Sequence, residues 1–396
     1  MKIKDEFPIY EFNKDLIYLD TAASSLKPRK VIDAVSFYYS HYGVNIHRGV
    51  YNLSFEATKM YENARANIAL FINADVDEVI FTRGTTESIN MISNFFTCLE
   101  EGDEIITSEL EHHSNFLPWL EMAKKRKVKL RFVELDEQGR ITIEAFKKVL
   151  SKKTKIVALT YVSNVMGFIT PIKEITKLAH NVNALVVVDG AQAVPHFKVD
   201  LKALDVDFFA FSAHKMLGPN GVGILYGKKH LLDKVEPFHF GGEMVEVVTK
   251  DNATYKDIPH KFEAGTPIIS GAIGLSKAVD FINEIGFDYI ETHIDKLYQY
   301  ALAKLKNIEG ITIYNKGNDV GLITFNIDGI HPHDAATIFD KNNICLRAGH
   351  HCAQNIHKWL KINSSLRASF YIYNTKEDVD KFIEAIIEAR DFFRKF

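Results

Sequence analysis

The chain has 396 residues, with 48 Lys and Arg against 51 Asp and Glu for a net charge of −3. Its length predicts two or three domains, and its 46% hydrophobic and 25% charged content is that of a folded globular protein and excludes disorder and collagen-like repeats. Three cysteines cannot staple a chain of this length, so a disulfide scaffold is excluded and a reducing compartment is expected.

No apolar run reaches the ~20 residues of a membrane helix, and near-neutral charge gives no reason for general affinity for nucleic acid or an anionic membrane. The start, MKIKDEFPIY, has no apolar signal core, so the cytoplasm is the expected location. In chain order, the first half alternates strand-like runs with helix-like stretches. Strands are expected at 79–82, 105–107, 130–135, 156–162, 184–188, 208–211 and 222–226. Helices are expected at 86–99, 117–126, 143–150 and 172–181. Unbroken β-branched runs read as strands buried on both faces, and this alternation predicts an α/β fold with a mainly parallel sheet. After residue 270 the order changes: helices at 270–282 and 287–305, strands at 311–314 and 322–327, a helix at 334–341, extended chain at 344–347 and 367–373, and a closing helix at 376–394. This reads as a smaller α+β domain. The basic run Lys124–Arg131 reads as the cationic end of a helix and the start of a strand.

Ligands of parallel sheets bind beyond the carboxyl ends of strands, so those ends carry the argument. After the first strand comes Arg83-Gly84-Thr85-Thr86-Glu87-Ser88, a glycine turn into a helix N-terminus. Its free N–H groups and hydroxyls suit a phosphate, although a plain N-cap has the same pattern. The run ending in Val188 is followed by Asp189-Gly190-Ala191-Gln192. A carboxylate there needs a cationic partner, which a protonated ring nitrogen or a structural salt bridge would supply. Phe211 is followed by Ser212-Ala213-His214-Lys215, and a lysine at a buried strand end can act as an imine-forming amine, although a solvated lysine is equally written this way. A phosphate site, a carboxylate for a ring nitrogen and an amine together are what pyridoxal phosphate requires.

The segment SAHKMLGPNGVGILYG resembles the lysine region of fold-type I pyridoxal-phosphate enzymes of the class V aminotransferase group. The whole chain resembles the SufS-type (group II) cysteine desulfurases, relatives of the selenocysteine lyases. The matching segments are YLDTAASSLKP, NIHRGVYNLS, FTRGTTESIN, ELEHHSNFLPW, YVSNVMG, VDGAQA, KFEAGTP, RAGHHCAQ and RASFYIYNT. The resemblance implies a large cofactor domain over 20–268 and a small domain of 1–19 and 269–396. It implies that Lys215 holds pyridoxal phosphate, with Asp189 at the ring nitrogen, Gln192 near the ring hydroxyl and His112 stacked on the ring. Thr85, Thr86, Ser212 and His214 would cradle the phosphate, with Thr266 supplied by the other subunit of a homodimer. Asn164 and Arg367, with Arg347 nearby, would hold the substrate carboxylate. His47 and Arg48 would stand near the entrance, and Cys352 would carry the persulfide.

The implied reaction converts L-cysteine to L-alanine, with the sulfur passed to a SufE- or SufU-type acceptor for iron–sulfur cluster assembly. Selenocysteine lyase activity is the alternative. Other class V reactions, such as transamination, and a non-catalytic scaffold are the remaining readings. A thiolate is needed at Cys352, and protonated His350 and His351 would favour it. Cys98, expected to close a helix, and Cys345, in an apolar strand, read as small buried hydrophobes. The adjacent pairs His112-His113 and His350-His351 lack the spacing of a metal site, and no metal is expected.

Overall fold

The structure is a computed structural model that describes residues 3–96 and 98–394. Its central sheet has seven strands, in the order Val79–Thr82, Gly223–Gly227, Phe208–Ser212, Leu185–Asp189, Thr154–Thr160, Glu104–Ser108 and Lys129–Val133. The last five of these are mutually parallel. Gly223–Gly227 runs antiparallel to both of its neighbours. Sequences such as TKIVALT, LVVVD and FFAFS are buried almost throughout, as expected for strands covered by helices on both faces. The register pairs Thr160 with Asp189, and Asp189 with Ala210, so the carboxyl ends of these strands share one edge.

Two helices before residue 79, Arg29–His41 and Asn52–Phe71, went unread in the sequence. They pack with helix Ile269–Ile285 against the core of the large sheet. That last helix was expected in the small domain. Its small residues explain the closer attachment: a Cβ on Gly274 would lie 2.5 Å from Pro219 and 2.8 Å from Val35.

A second core gathers Ile17 and Leu19 with residues from Leu297 to Ala389. Its antiparallel sheet runs Ile311–Ile313, Leu322–Ile327, Ser365–Ser369, Arg347–Gly349. Ile17–Tyr18 pairs in parallel with Ile344–Cys345, and the Ser369 N–H donates to the Leu19 carbonyl at 2.7 Å. Along helix Phe287–Leu305, Ile290 and Ile294 join the first core, and Leu297 and Tyr298 the second. We propose that the two domains divide within that helix, with Ile17 and Leu19 on the small-domain side, while Phe7, expected there too, packs into the first core.

Candidate active site

The shared strand edge opens onto a cavity of about 150 Å³. On one wall, helix Thr85–Phe95 starts after Gly84. The Thr85 N–H donates to Ser212 Oγ at 2.8 Å, and the two hydroxyls share a hydrogen bond of the same length. Thr86 Oγ1 meets Ser114 Oγ at 2.7 Å, in the first turn of helix His113–Arg126. Two helix N-termini and their hydroxyls therefore converge, which concentrates N–H donors and partial positive charge. The approach depends on glycine: a Cβ on Gly223 would sit 2.4 Å from Gly84 Cα and 2.7 Å from the Phe211 carbonyl oxygen.

Asp189 and Lys215 line the cavity from neighbouring strand ends. Burial raises the Asp189 carboxyl pKa, against the pull of Lys215 and of the Ala191 N–H, which donates to Oδ1 at 3.0 Å. Burial also lowers the Lys215 pKa, with Asp189 opposing. Each group therefore lacks full compensation for its charge. His112 caps helix His113–Arg126 by accepting from the Ser114 N–H at 3.1 Å. Burial, with Lys215 next, holds its pKa down to about 3, so the imidazole is neutral. Burial and the lysines Lys215 and Lys27 likewise bring His214 to about 4.

The opposite wall comes from the small domain. Arg367 is fully buried; its Nη1 donates to the Asn164 carbonyl at 3.0 Å and its Nη2 to Asp20 Oδ1 at 3.1 Å. Among the described residues its Nε has no partner, and neither does Asn164 Oδ1, whose Nδ2 donates to the His351 carbonyl at 2.8 Å. Arg347, half exposed, lies 3.7 Å from Asp20 Oδ2. Cys352 is exposed, with a left-handed φ of 55°. The large domain grips its loop: the His113 N–H donates to the Cys352 carbonyl at 2.7 Å, beside the Asn164 bond to the His351 carbonyl.

The sequence profile of the class-V aminotransferases matches residues 17–382. The chain belongs to the class-V aminotransferase family. Among similar proteins, a probable cysteine desulfurase of Halalkalibacterium halodurans is 50% identical, over 99% of this chain and 98% of that protein. Another, from Staphylococcus aureus, is 48% identical over 99% and 96%. Among solved structures, the cysteine desulfurase CsdA of Escherichia coli superposes with a TM-score of 0.92 at 37% identity, covering 98% of both chains. The apo cysteine desulfurase of Thermococcus onnurineus gives 0.94 at 39% identity, covering 98% of this chain and 97% of that one.

A class-V aminotransferase binds pyridoxal phosphate, and the residues here fit it. The converging helix N-termini suit its phosphate, and a protonated ring nitrogen is the cation that buried Asp189 lacks. Thr85, Thr86, His112, Asn164, Asp189, Ser212, His214, Lys215, Arg347 and Arg367 all line the one cavity. Gln192, Thr266, His47, Arg48 and Cys352 do not, Cys352 standing on the loop just after the lining residue His351. Gln192 is buried beside it and donates from Nε2 to the Ala22 carbonyl at 2.7 Å, which positions the Ala22–Ala23 wall. Thr266 lies with Thr82, Arg83 and Glu87 in a separate cleft. His47 pairs with Glu62 at 3.1 Å, away from the cavity lining.

Two expectations about thiols change. The helix expected to run to 99 stops at Phe95, because Phe96 and Leu99 turn inward; Cys98 is left exposed and Cys345 is only half buried. His351 cannot stabilise a Cys352 thiolate as a cation. It is buried, and burial together with Arg367 drives its pKa far below the usual imidazole range. Arg367 and Lys215 are the cations that sense charge on Cys352. Asp20 and Ser114 escaped the sequence reading. Both stand in segments that carried the resemblance, and the signal for Asp20 was an acid closing an apolar run, as at Asp189.

Proposed function

We propose that this protein is a pyridoxal-phosphate-dependent cysteine desulfurase that converts L-cysteine to L-alanine and loads the sulfur onto Cys352. The observation that carries the reading is one cavity in which Asp189 and Lys215 face an unpartnered pair, Arg367 Nε and Asn164 Oδ1, with an exposed cysteine on the loop beside them. The relatives reported above are named cysteine desulfurases, so the selenocysteine lyase alternative is not favoured.

When bound, pyridoxal phosphate supplies the electron sink that acidifies the Cα–H of an amino acid and labilises its Cβ substituent. Asp189 holds positive charge on the ring nitrogen. Arg367 binds the substrate carboxylate, charge-assisted, and Asn164 orients the Arg367 guanidinium through its carbonyl. Lys215 Nζ, its pKa lowered by burial, removes the proton at Cα. His112, neutral, adds no charge against the cofactor ring. The Cys352 thiolate then forms a bond to the substrate sulfur. The Cβ–S bond breaks with its electron pair on the carbon side, Cβ takes up a proton, and Lys215 Nζ returns the proton to Cα to give alanine.

The homodimer and the acceptor protein belong to the same proposal. Val50 (95% exposed), Phe55 and Phe240 are exposed apolar side chains. The Arg48–Glu243 ion pair at 3.1 Å and the Gly265 N–H bond to the Gly242 carbonyl tie these segments together. In a homodimer, Thr266 of the second copy would complete the phosphate cradle, as the family resemblance implies. The two anchored carbonyls of the Cys352 loop favour slow release of sulfur until a SufE- or SufU-type acceptor takes it toward iron–sulfur assembly. Among the described residues, no helix is long and apolar enough to cross a membrane.

The test measures alanine and sulfide from L-cysteine, wild type against Cys352→Ala, with and without acceptor. Cysteine turnover should fall at least about 100-fold in the variant, which removes a nucleophile that splits the reaction into two steps. Unchanged alanine formation would refute the role of Cys352.

A further inference from the structure

Outside the cavity, one cluster has the chemistry of a metal site. His47, Glu62 and His260 each offer a ligand atom, all within 4.8 Å of one another. We propose that these three side chains bind a divalent cation of the zinc class, with the fourth position left to water, and that the metal clamps the loop carrying His47 to the loop that leads into Thr266.

The donor set is two imidazoles and one carboxylate, a combination that suits zinc with one open position. Tetrahedral ligation at ~2.1 Å per bond puts donors about 3.4 Å apart. His47 Nε2 and Glu62 Oε1 already stand 3.1 Å apart, so only His260 has to close in. Its ring makes no hydrogen bond among the described residues and packs edge-on to His47, with centroids 5.3 Å apart. His47 keeps its place by a cost: a left-handed φ of 68°, held by its N–H donating to Thr58 Oγ1 at 2.9 Å.

The surroundings support the ligands. Arg65 Nε donates to Glu62 Oε2 at 2.9 Å and its Nη2 reaches Oε1 only at 3.4 Å, which orients the carboxylate with Oε1 toward His47. The Arg65 charge is itself met by Glu263, at 2.6 and 2.9 Å. Two carboxylates against one guanidinium leave a net negative site.

Zinc also binds thiolates, so the test uses the pyridoxal-phosphate-loaded Cys352→Ala protein, titrated with Co²⁺ and Zn²⁺. One equivalent of Co²⁺ should bind, with the intense visible bands of a four-coordinate nitrogen–oxygen site and no thiolate-to-cobalt charge transfer. Zn²⁺ should displace it and raise the melting temperature by mass action. His260→Gln and His47→Gln should each weaken binding at least about tenfold. Cofactor absorbance and circular dichroism should match the parent. No saturable binding, a thiolate band, a six-coordinate spectrum, or affinity unchanged in both variants would each overturn the assignment. If either variant fails to fold, the parent's cobalt spectrum and zinc-dependent melting shift decide the matter.

Discussion

Asp20 gives the sharpest test of the site. It accepts from Arg367 Nη2 at 3.1 Å and faces Arg347 at 3.7 Å, so it positions the pair expected to hold the substrate carboxylate. Asp20→Asn keeps an oxygen acceptor of the same shape and removes only the charge. A hydrogen bond to a charged group contributes about 1.5–3 kcal/mol, roughly double a neutral one, so the substitution should cost Arg367 about 1–2 kcal/mol. Asp20 is 18% exposed, and water replaces part of the loss, which favours the lower figure. At 1.4 kcal/mol per tenfold, KM for L-cysteine should rise about 5- to 30-fold with kcat within about twofold of wild type. Steady-state alanine formation at saturating acceptor measures both constants. Unchanged KM would refute the positioning argument. A collapse in kcat at constant KM would place Asp20 in the chemistry instead.

Two further outcomes follow from packing and titration. Gly223→Ala drives a Cβ into Gly84, so it should destabilise the protein by about 1–3 kcal/mol and weaken pyridoxal phosphate binding; denaturant midpoints and cofactor titration measure these, and wild-type values for both would refute the close approach. Stability of the cofactor-free protein should peak near pH 6.5. His112, His196 and His214, held by burial to about 3, 4 and 4, take up protons on unfolding below the ordinary imidazole value of 6.5. Each histidine removes up to about 1.4 kcal/mol per pH unit as the pH falls from 6.5 toward 4. Glu111 has the opposite sign: burial raises it to about 8, so the native state holds its proton and loses stability as pH rises from 4.5 through 8. Three histidines outweigh one glutamate on the acid side. Equal or greater stability at pH 5 than at pH 6.5 would contradict this.

The parts of the molecule legible in the sequence are those whose signal is local. LVVVD and FFAFS are buried β-branched and aromatic runs, and their ends delivered Asp189 and Lys215 to one edge because parallel strands share a direction. Thr85 and Thr86 followed from a glycine before a helix. Long-range packing was not legible. Helix Asn52–Phe71 is amphipathic but sits among loop-like segments, and helix Ile269–Ile285 gives no local sign of which core its small residues meet. The bond from Asp20 to Arg367 spans most of the chain, so no window of sequence contains it. His351 illustrates the limit of motif reading: its position in RAGHHC was visible, while the burial and the Arg367 charge that hold its pKa down, against a Ser365 bond to Nε2 at 2.9 Å, were not.

The parallel pairing of Ile17–Tyr18 with Ile344–Cys345 has a temporal consequence. On a ribosome, residues 17–23 emerge early, and the strands of the large sheet are all present once Gly227 has been made. The strap that ends in Asp20 and Ala22 has no edge to pair with until the chain has reached 344, and Arg367 comes later still. The cavity wall is therefore the last piece of the enzyme to close. A nascent chain can bury its main core while its substrate clamp does not yet exist, which withholds sulfur chemistry from unfinished polypeptide.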